Sequence, residues 1–147
     1  MGNIKLRKAR KSDMPLIKEH IERFRLDDEN INYDQFIVAE GNKKVVGFGR
    51  IKPYKSCFEL GCLGVLESYR NHEIGAAIVE RLIKDFPSDD VWITTDIPKY
   101  FERLGFQRTD QAPEEIKDKI KGVCQEKKHP DAVIMLLNRG RLKNHER

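Results

Sequence analysis

The stretch from Cys62 to Arg81 (C-L-G-V-L-E-S-Y-R-N-H-E-I-G-A-A-I-V-E-R) constrains this chain more than any other. It reads as an apolar strand, a short turn and an amphipathic helix. The turn carries Arg70, and Gly75 stands where the helix is about to start. A helix start has unpaired backbone N–H groups and about half a positive charge, so it attracts phosphate. The segment therefore points to a protein that holds a phosphorylated cofactor on backbone amides.

Size and charge narrow the remaining classes. A chain of 147 residues is expected to form one domain around one core. A net charge of +4 is too modest for a nucleic-acid partner, and acidic residues interrupt any basic stripe. No apolar run reaches the roughly 18–20 residues that span a bilayer, so no membrane partner is expected. The start (Met1, Gly2, Asn3, Ile4, Lys5) lacks the apolar core of a signal peptide, so a cytoplasmic location is expected. Cys57, Cys62 and Cys124 are odd in number and show no metal-ligand spacing. They read as buried thiols in a reducing compartment, with no metal bound. The segment from Arg139 to Arg147 is locally basic and reads as a solvated tail.

Periodicity divides the rest of the chain. Ile4, Leu6 and Ala9 begin a first strand. Ser12 and Asp13 look like caps, Pro15 suits a first helical turn, and the helical spacing runs to about Leu26. Phe36–Glu40 and Val45–Ile51 read as a hairpin with its turn at Gly41-Asn42, and Pro53 ends the second arm. Phe58–Val65 is the next strand. Ile74, Ala77, Ile78, Leu82 and Ile83 make the apolar stripe of a long helix that stops near Pro87. Val91–Thr95 is a strand, Pro98 opens a short helix with Gly105 as its C-cap, and Phe106 starts another strand. Pro113–Cys124 reads as helical and Ala132–Leu137 as a last strand. The order β-α-β-β-β-α-β-α-β-α-β implies a mixed α/β fold with helices on the faces of one sheet.

At this level the residues resemble a known family. Val65, Tyr69-Arg70 and Gly75-Ala76-Ala77 resemble the signature of the GNAT superfamily of N-acetyltransferases. Tyr100-Phe101-Glu102-Arg103-Leu104-Gly105-Phe106 resembles that family's second motif, a short helix ending in Leu-Gly-Phe. The two stand in the family's order with a strand between them. The resemblance implies an acyl-CoA N-acyltransferase fold with a mostly antiparallel central sheet, a single such domain over residues 1–138 and a basic tail over 139–147. It implies acetyl-CoA as donor, with the strand residues Leu63, Gly64 and Val65 beside pantetheine. Arg70, Asn71, His72, Glu73, Ile74, Gly75 and Ala76 would then grip the pyrophosphate. Glu73 departs from the pattern, because the family usually has glycine there. A left-handed backbone at a glutamate costs about 1–2 kcal/mol.

Acetyl transfer needs a neutral amine, and a lysine-like amine is neutral about one time in a thousand at pH 7. A general base is therefore useful. Glu59, a lone carboxylate in an apolar strand, reads either as that base or as an exposed strand-end carboxylate. By strand alternation it would share a face with Gly61, Leu63 and Val65. The family often places a proton-donating tyrosine where Phe101 stands. Tyr100 beside it reads either as the acid or as a packing residue, and Tyr69 is a weaker candidate.

Glu59 to Arg70 and Trp92 to Phe106 also resemble the acetyltransferase domain of N-acetylglutamate synthases. That likeness implies a small amine or an amino acid such as glutamate as acceptor. Its carboxylates would need cations such as Arg23, Arg25 or Arg50. An acyl-CoA-binding regulator without turnover and a protein or peptide acetyltransferase remain open. Many relatives resemble dimers, which leaves a homodimer open as well.

Overall fold

A computed structural model describes residues 3–140. In chain order the elements are β1 (Ile4–Lys8), α1 (Met14–Arg23), β2 (Phe36–Gly41), β3 (Lys44–Pro53), β4 (Phe58–Val65) and α2 (Ile74–Asp85). They continue with β5 (Asp90–Thr95), α3 (Pro98–Glu102), β6 (Gln107–Arg108), α4 (Glu114–Lys121), α5 (Val123–Glu126) and β7 (Val133–Asn138). The strands form a mixed, mostly antiparallel arrangement with helices on its faces, the fold expected from the element order.

The chain divides into two compact units. The first comprises the described residues up to Lys52 together with Leu60–Asp85. The second comprises Pro53–Glu59 and the described residues from Phe86 onward. Strand β4 therefore begins in the second unit and ends in the first. Of the basic tail expected over 139–147, residues 141–147 lie outside the described residues.

In the first unit the strand order is β1-β2-β3-β4. Ile17 and Ile21 of α1 join Phe36, Val38, Phe48 and Cys62 in one buried cluster, with Leu26 and Ile31 packed on it. Successive strand residues point to opposite faces, so Gly47 and Gly49, flanking Phe48, look the other way. Added Cβ atoms there would stand 3.0 Å from Ile78 and 2.9 Å from Leu82 of α2, so these glycines let the helix lie close on the sheet. In the second unit the order is β4-β5-β7-β6. Glu59 of β4 pairs in parallel with Trp92 of β5, and the remaining pairs are antiparallel. Phe101 and Phe106 meet edge to face at 5.6 Å in its interior.

Four local expectations shift. Helix α1 ends at Arg23, three residues early. Arg25 takes φ 56°, its N–H donates to the Glu22 carbonyl (3.2 Å), and the Leu26 N–H reaches back to Ile21 (2.9 Å). This is a Schellman C-cap, hidden in the sequence because its left-handed residue is arginine rather than glycine. The hairpin turn sits on Asn42 (φ 52°) and Lys43 (φ 65°), one residue later than expected. Gly41 is a strand residue whose Cβ would press on Ile4 at 2.8 Å, so packing against β1 rather than turn geometry accounts for it. The helix expected over Pro113–Cys124 is two helices, broken at Gly122 (φ −106°, ψ −86°). Asp13 does not cap α1. Its carboxylate accepts from the Arg10 N–H (2.7 Å) and from both ends of the Arg7 guanidinium.

Two glycines of β4 separate packing from open space. A Cβ on Gly64 would lie 2.5 Å from the Phe48 ring, whereas one on Gly61 would meet nothing within 4 Å. Gly64→Ala is expected to lower unfolding free energy by about 1–3 kcal/mol, and Gly61→Ala to change it by no more than about 0.5 kcal/mol. Urea titrations of both variants check this; equal stabilities would contradict the packing at Gly64.

Candidate functional site

Two centres hold the residues singled out by the sequence. The first lies in the first unit, between β4 and α2. A 3-10 turn at Glu67–Tyr69 follows β4, and the Arg70 N–H closes onto the Glu67 carbonyl at 3.3 Å. Asn71 and Glu73 then take φ 68° and 61°, while His72 between them does not. Alternating handedness turns successive N–H groups toward one side and makes an anion-binding concavity. The first helical bond runs from the Ala77 N–H to the Glu73 carbonyl at 3.1 Å. Among the described residues, the backbone N–H groups of 71–76 donate to no acceptor. Residues Asn71, His72 and Glu73 are exposed. Six such amides at the head of a 12-residue helix suit a diphosphate, the part of coenzyme A that needs charge-assisted donors.

Two details of this turn were not legible beforehand. Glu73 keeps the left-handed backbone that glycine would adopt freely, and its side chain is exposed. Arg70 does not reach toward the turn amides. Its Nε donates to the Val65 carbonyl at 3.0 Å, and its guanidinium lies over the Phe24 ring at 5.0 Å. Leu63 and Val65 are half-buried, and Gly64 is buried against Phe48.

The second centre lies in the second unit and is built on Glu59, which is 1% exposed. Three donors converge on its carboxylate. Tyr54 Oη donates to Oε1 at 2.7 Å; Thr94 Oγ1 and Lys119 Nζ donate to Oε2 at 2.8 and 2.7 Å. Lys119 is itself buried, so this is an ion pair withdrawn from water. Removing one partner of such a pair costs about 3–5 kcal/mol, because the other charge is left uncompensated. The alternation assumed around Glu59 does not hold: Glu59 and Leu60 are both buried, and Cys62 has φ 48°. One turn before Lys119 on α4, Glu115 accepts from the N–H groups of Lys55 (2.8 Å) and Ser56 (3.0 Å) and from the Ser56 hydroxyl. These bonds hold its carboxyl below the usual range, the Ser56 hydroxyl contributing most. Burial, and then the negative charge of Glu115, push the nearby Cys57 thiol up to about 11.

Sequence reasoning found Glu59 but none of its partners. Tyr54, Thr94 and Lys119 come from three separate segments, and nothing in their local spacing marks them. Tyr100 is half-buried, edge-on to Phe101, with the Arg103 guanidinium 5.9 Å from its ring. Tyr69 carries the Lys44 ammonium over its ring at 5.3 Å. Of the arginines considered for an acceptor carboxylate, Arg50 is 1% exposed. It donates to the Glu29 and Asp27 carbonyls and to Gln35, with Asp27 Oδ1 at 3.4 Å. It is a buried clamp on the segment after α1. Arg23 is exposed and 3.6 Å from Glu67. Among the described residues no cluster of three His, Cys, Asp or Glu side chains could hold a metal ion. No helix among them is long and apolar enough to cross a membrane.

Comparison with known proteins bears on the fold and the class of the chain. The family described as Acetyltransferase (GNAT) domain matches residues 32–108, just over half of the chain. The chain belongs to this family, and is thereby an acetyl-CoA-dependent N-acetyltransferase by class. A search of curated proteins finds no match. Among solved structures, Rv2747 from Mycobacterium tuberculosis, in complex with CoA and NLQ, is 26% identical with a TM-score of 0.70. That match covers 91% of this chain and 98% of Rv2747. N-acetylglutamate synthase from Neisseria gonorrhoeae, complexed with coenzyme A and N-acetyl-glutamate, has a TM-score of 0.74 at 16% identity. It covers 94% of this chain, which spans only 35% of the synthase chain. The ribosomal-protein-S18-alanine N-acetyltransferase from Escherichia coli has a TM-score of 0.63 at 17% identity, covering 92% of this chain and 94% of its own. At such identities the last two speak to the fold alone.

The turn makes opposite predictions for two neighbouring positions. If the turn holds a diphosphate, Gly75→Asp places a carboxylate beside it, worth about 3 kcal/mol of repulsion at about 5 Å and an effective dielectric of 20. It should weaken CoA binding at least about 100-fold, while an acid in the first helical turn leaves the fold intact. Glu73→Gly removes both a left-handed glutamate and a negative charge, and should tighten CoA binding about 3- to 10-fold. Calorimetric titration with CoA checks both; unchanged affinity in Gly75→Asp would remove the diphosphate from this turn.

Proposed function

We propose that this protein moves the acetyl group of acetyl-CoA to the primary amine of a small molecule, an amino acid such as glutamate. The observation that carries the reading is a buried carboxylate, Glu59, on the strand that leads into the amide-lined turn. The thioester supplies an activated acyl carbon, and the chain supplies the rest. The amides of 71–76, with Arg70 at the edge of the turn, hold the diphosphate. The backbone of Leu63, Gly64 and Val65 lies alongside pantetheine, with the Val65 carbonyl released by Arg70 when that contact forms. Glu59 takes the proton that the attacking amine must lose. Tyr100 gives a proton to the departing thiolate, in place of the family tyrosine replaced here by Phe101.

The choice of a small acceptor is supported by Rv2747, which matches along its whole length and was solved with CoA and NLQ. The synthase neighbour, complexed with N-acetyl-glutamate, has the same fold. Arg50 is committed inside the protein, so an acidic acceptor must find its cations elsewhere, with Arg23 and Arg25 at the surface. We also read the protein as cytoplasmic, since Cys57, Cys62 and Cys124 are thiols rather than half-cystines, and as a candidate homodimer. A regulator that binds acyl-CoA without turnover is the second reading, favoured by Glu73 in the turn and Phe101 in the second motif.

Thiol release from acetyl-CoA in the presence of single amino acids separates these readings. Release with glutamate or glutamine supports the proposal. Tight CoA binding with no release by any amine supports the regulator, and release only with peptides supports a protein acetyltransferase. Glu59→Gln should lower turnover about 100-fold at pH 7 and markedly less at pH 9, where more of the amine is already neutral. An equal loss at both values would remove Glu59 as the base.

A further inference from the structure

Glu59 is held by Lys119, which lies beyond the residues 32–108 that the family matches, and the manner of holding has a chemical consequence. Helix α4 presents Glu115 and Lys119 four residues apart, on one side of the helix. Glu115 grips the backbone of Lys55 and Ser56, which docks α4 on the segment leading into β4. With that anchor in place, the ammonium of Lys119 is delivered to Glu59 Oε2 at 2.7 Å. The two carboxylate oxygens are thus unlike. Oε2 accepts from Lys119 and Thr94, whereas Oε1 accepts from the Tyr54 hydroxyl.

We propose that Lys119 is a positioning residue for acetyl transfer: its buried ammonium pairs with Glu59 and fixes Oε2, so that Oε1, on the Tyr54 side, exchanges the proton of the acceptor amine. The proposal rests on the reading of Glu59 as the base. The groups facing Glu59 come from three elements. The segment before β4 brings Tyr54 and the Cys57 thiol, which burial and neighbouring negative charge keep protonated at neutral pH. Strand β5 brings Thr94, with Trp92 in register. Helix α4 brings Lys119 and, at a remove, Glu115, whose charge is engaged by Ser56 and the loop amides. Tyr54 and Thr94 are neutral, Glu115 is negative, and Lys119 supplies the compensating positive charge.

The sign follows directly. Without a cation, a carboxylate in a dry site favours its protonated form, and a base in that form cannot accept a proton. Replacing Lys119 by a neutral side chain therefore moves the acidic limb of the kcat/KM profile to higher pH. Lys119→Gln, which keeps a donor to Oε2 without charge, and Lys119→Met should both move it up by at least about one unit. Each should lose kcat/KM about tenfold per unit of displacement at pH values below both limbs, with recovery above the displaced limb. Lys119→Arg should restore the limb. If Lys119→Met fails to fold, Lys119→Gln carries the test.

The free enzyme supplies a readout independent of turnover. Carbon-13 NMR of glutamate side-chain carboxyls, with Glu59 assigned by its loss in Glu59→Gln, should show its titration moving up in Lys119→Gln. A folded Lys119→Gln protein with an unmoved Glu59 titration overturns the proposal. So does a rate limb that stays within about 0.3 unit of the parent while Glu59→Gln is impaired. Wild-type kcat/KM in Glu59→Gln is a different failure: it removes the base itself, whatever Lys119 does.

Discussion

A carboxylate that is 1% exposed has to be met by donors, and the second unit is arranged around that requirement. An isolated buried charge is too costly to keep, so Glu59 draws a hydroxyl from the segment before β4, a hydroxyl from β5 and an ammonium from α4. Each donor comes from a different part of the chain. The ion pair thereby ties the start of β4 to a helix sixty residues away in sequence. Glu115 reinforces the same tie through loop amides rather than through a charge. A cluster of this kind specifies one arrangement more sharply than an apolar patch of equal size, because partial satisfaction is worse than none.

The first unit is governed by a different constraint, the handedness of its backbone. Arg25, Asn42, Lys43, Cys62, Asn71 and Glu73 all take positive φ without being glycine. At Asn42-Lys43 this closes a tight hairpin, and at Arg25 it ends α1. At Asn71 and Glu73 it shapes the turn at the head of α2, a conformation that can serve an anion. Strain at a glutamate persists only where the surroundings over-determine it. Here β4 and α2 are each anchored, β4 by Phe48 against Gly64 and α2 by Gly47 and Gly49, which leaves the connecting turn little freedom.

Much of this was open to inspection in the residues. Strand β4 was read with its observed bounds, because an apolar run of eight residues with strong turn signals on both sides has few alternatives. The C-cap of the short helix α3 is Arg103 rather than the expected Gly105, which takes φ 98° in the following turn, with the Phe106 N–H returning to the Phe101 carbonyl at 3.1 Å. The Arg25 cap was missed for the converse reason: a left-handed arginine leaves no compositional trace. The turn at Asn42-Lys43 was misplaced because Gly41 carries two possible explanations, and only the Ile4 contact distinguishes them. Arg50 looked like a ligand for a carboxylate and is a buried clamp, since a guanidinium in a strand has no sequence mark of which face it takes.

The amino-acid order by itself determined the succession of strands and helices, the amide-bearing turn at the head of α2 and membership of an acetyl-transferring family. These depend on local spacing, which a linear pattern records. Only the tertiary structure decided which side chains meet Glu59, that Arg70 folds back on Val65 and Phe24, and that Glu73 accepts a glycine-like backbone. Those outcomes depend on contacts between distant segments and on the cost of burying charge, and neither has a signature along the chain.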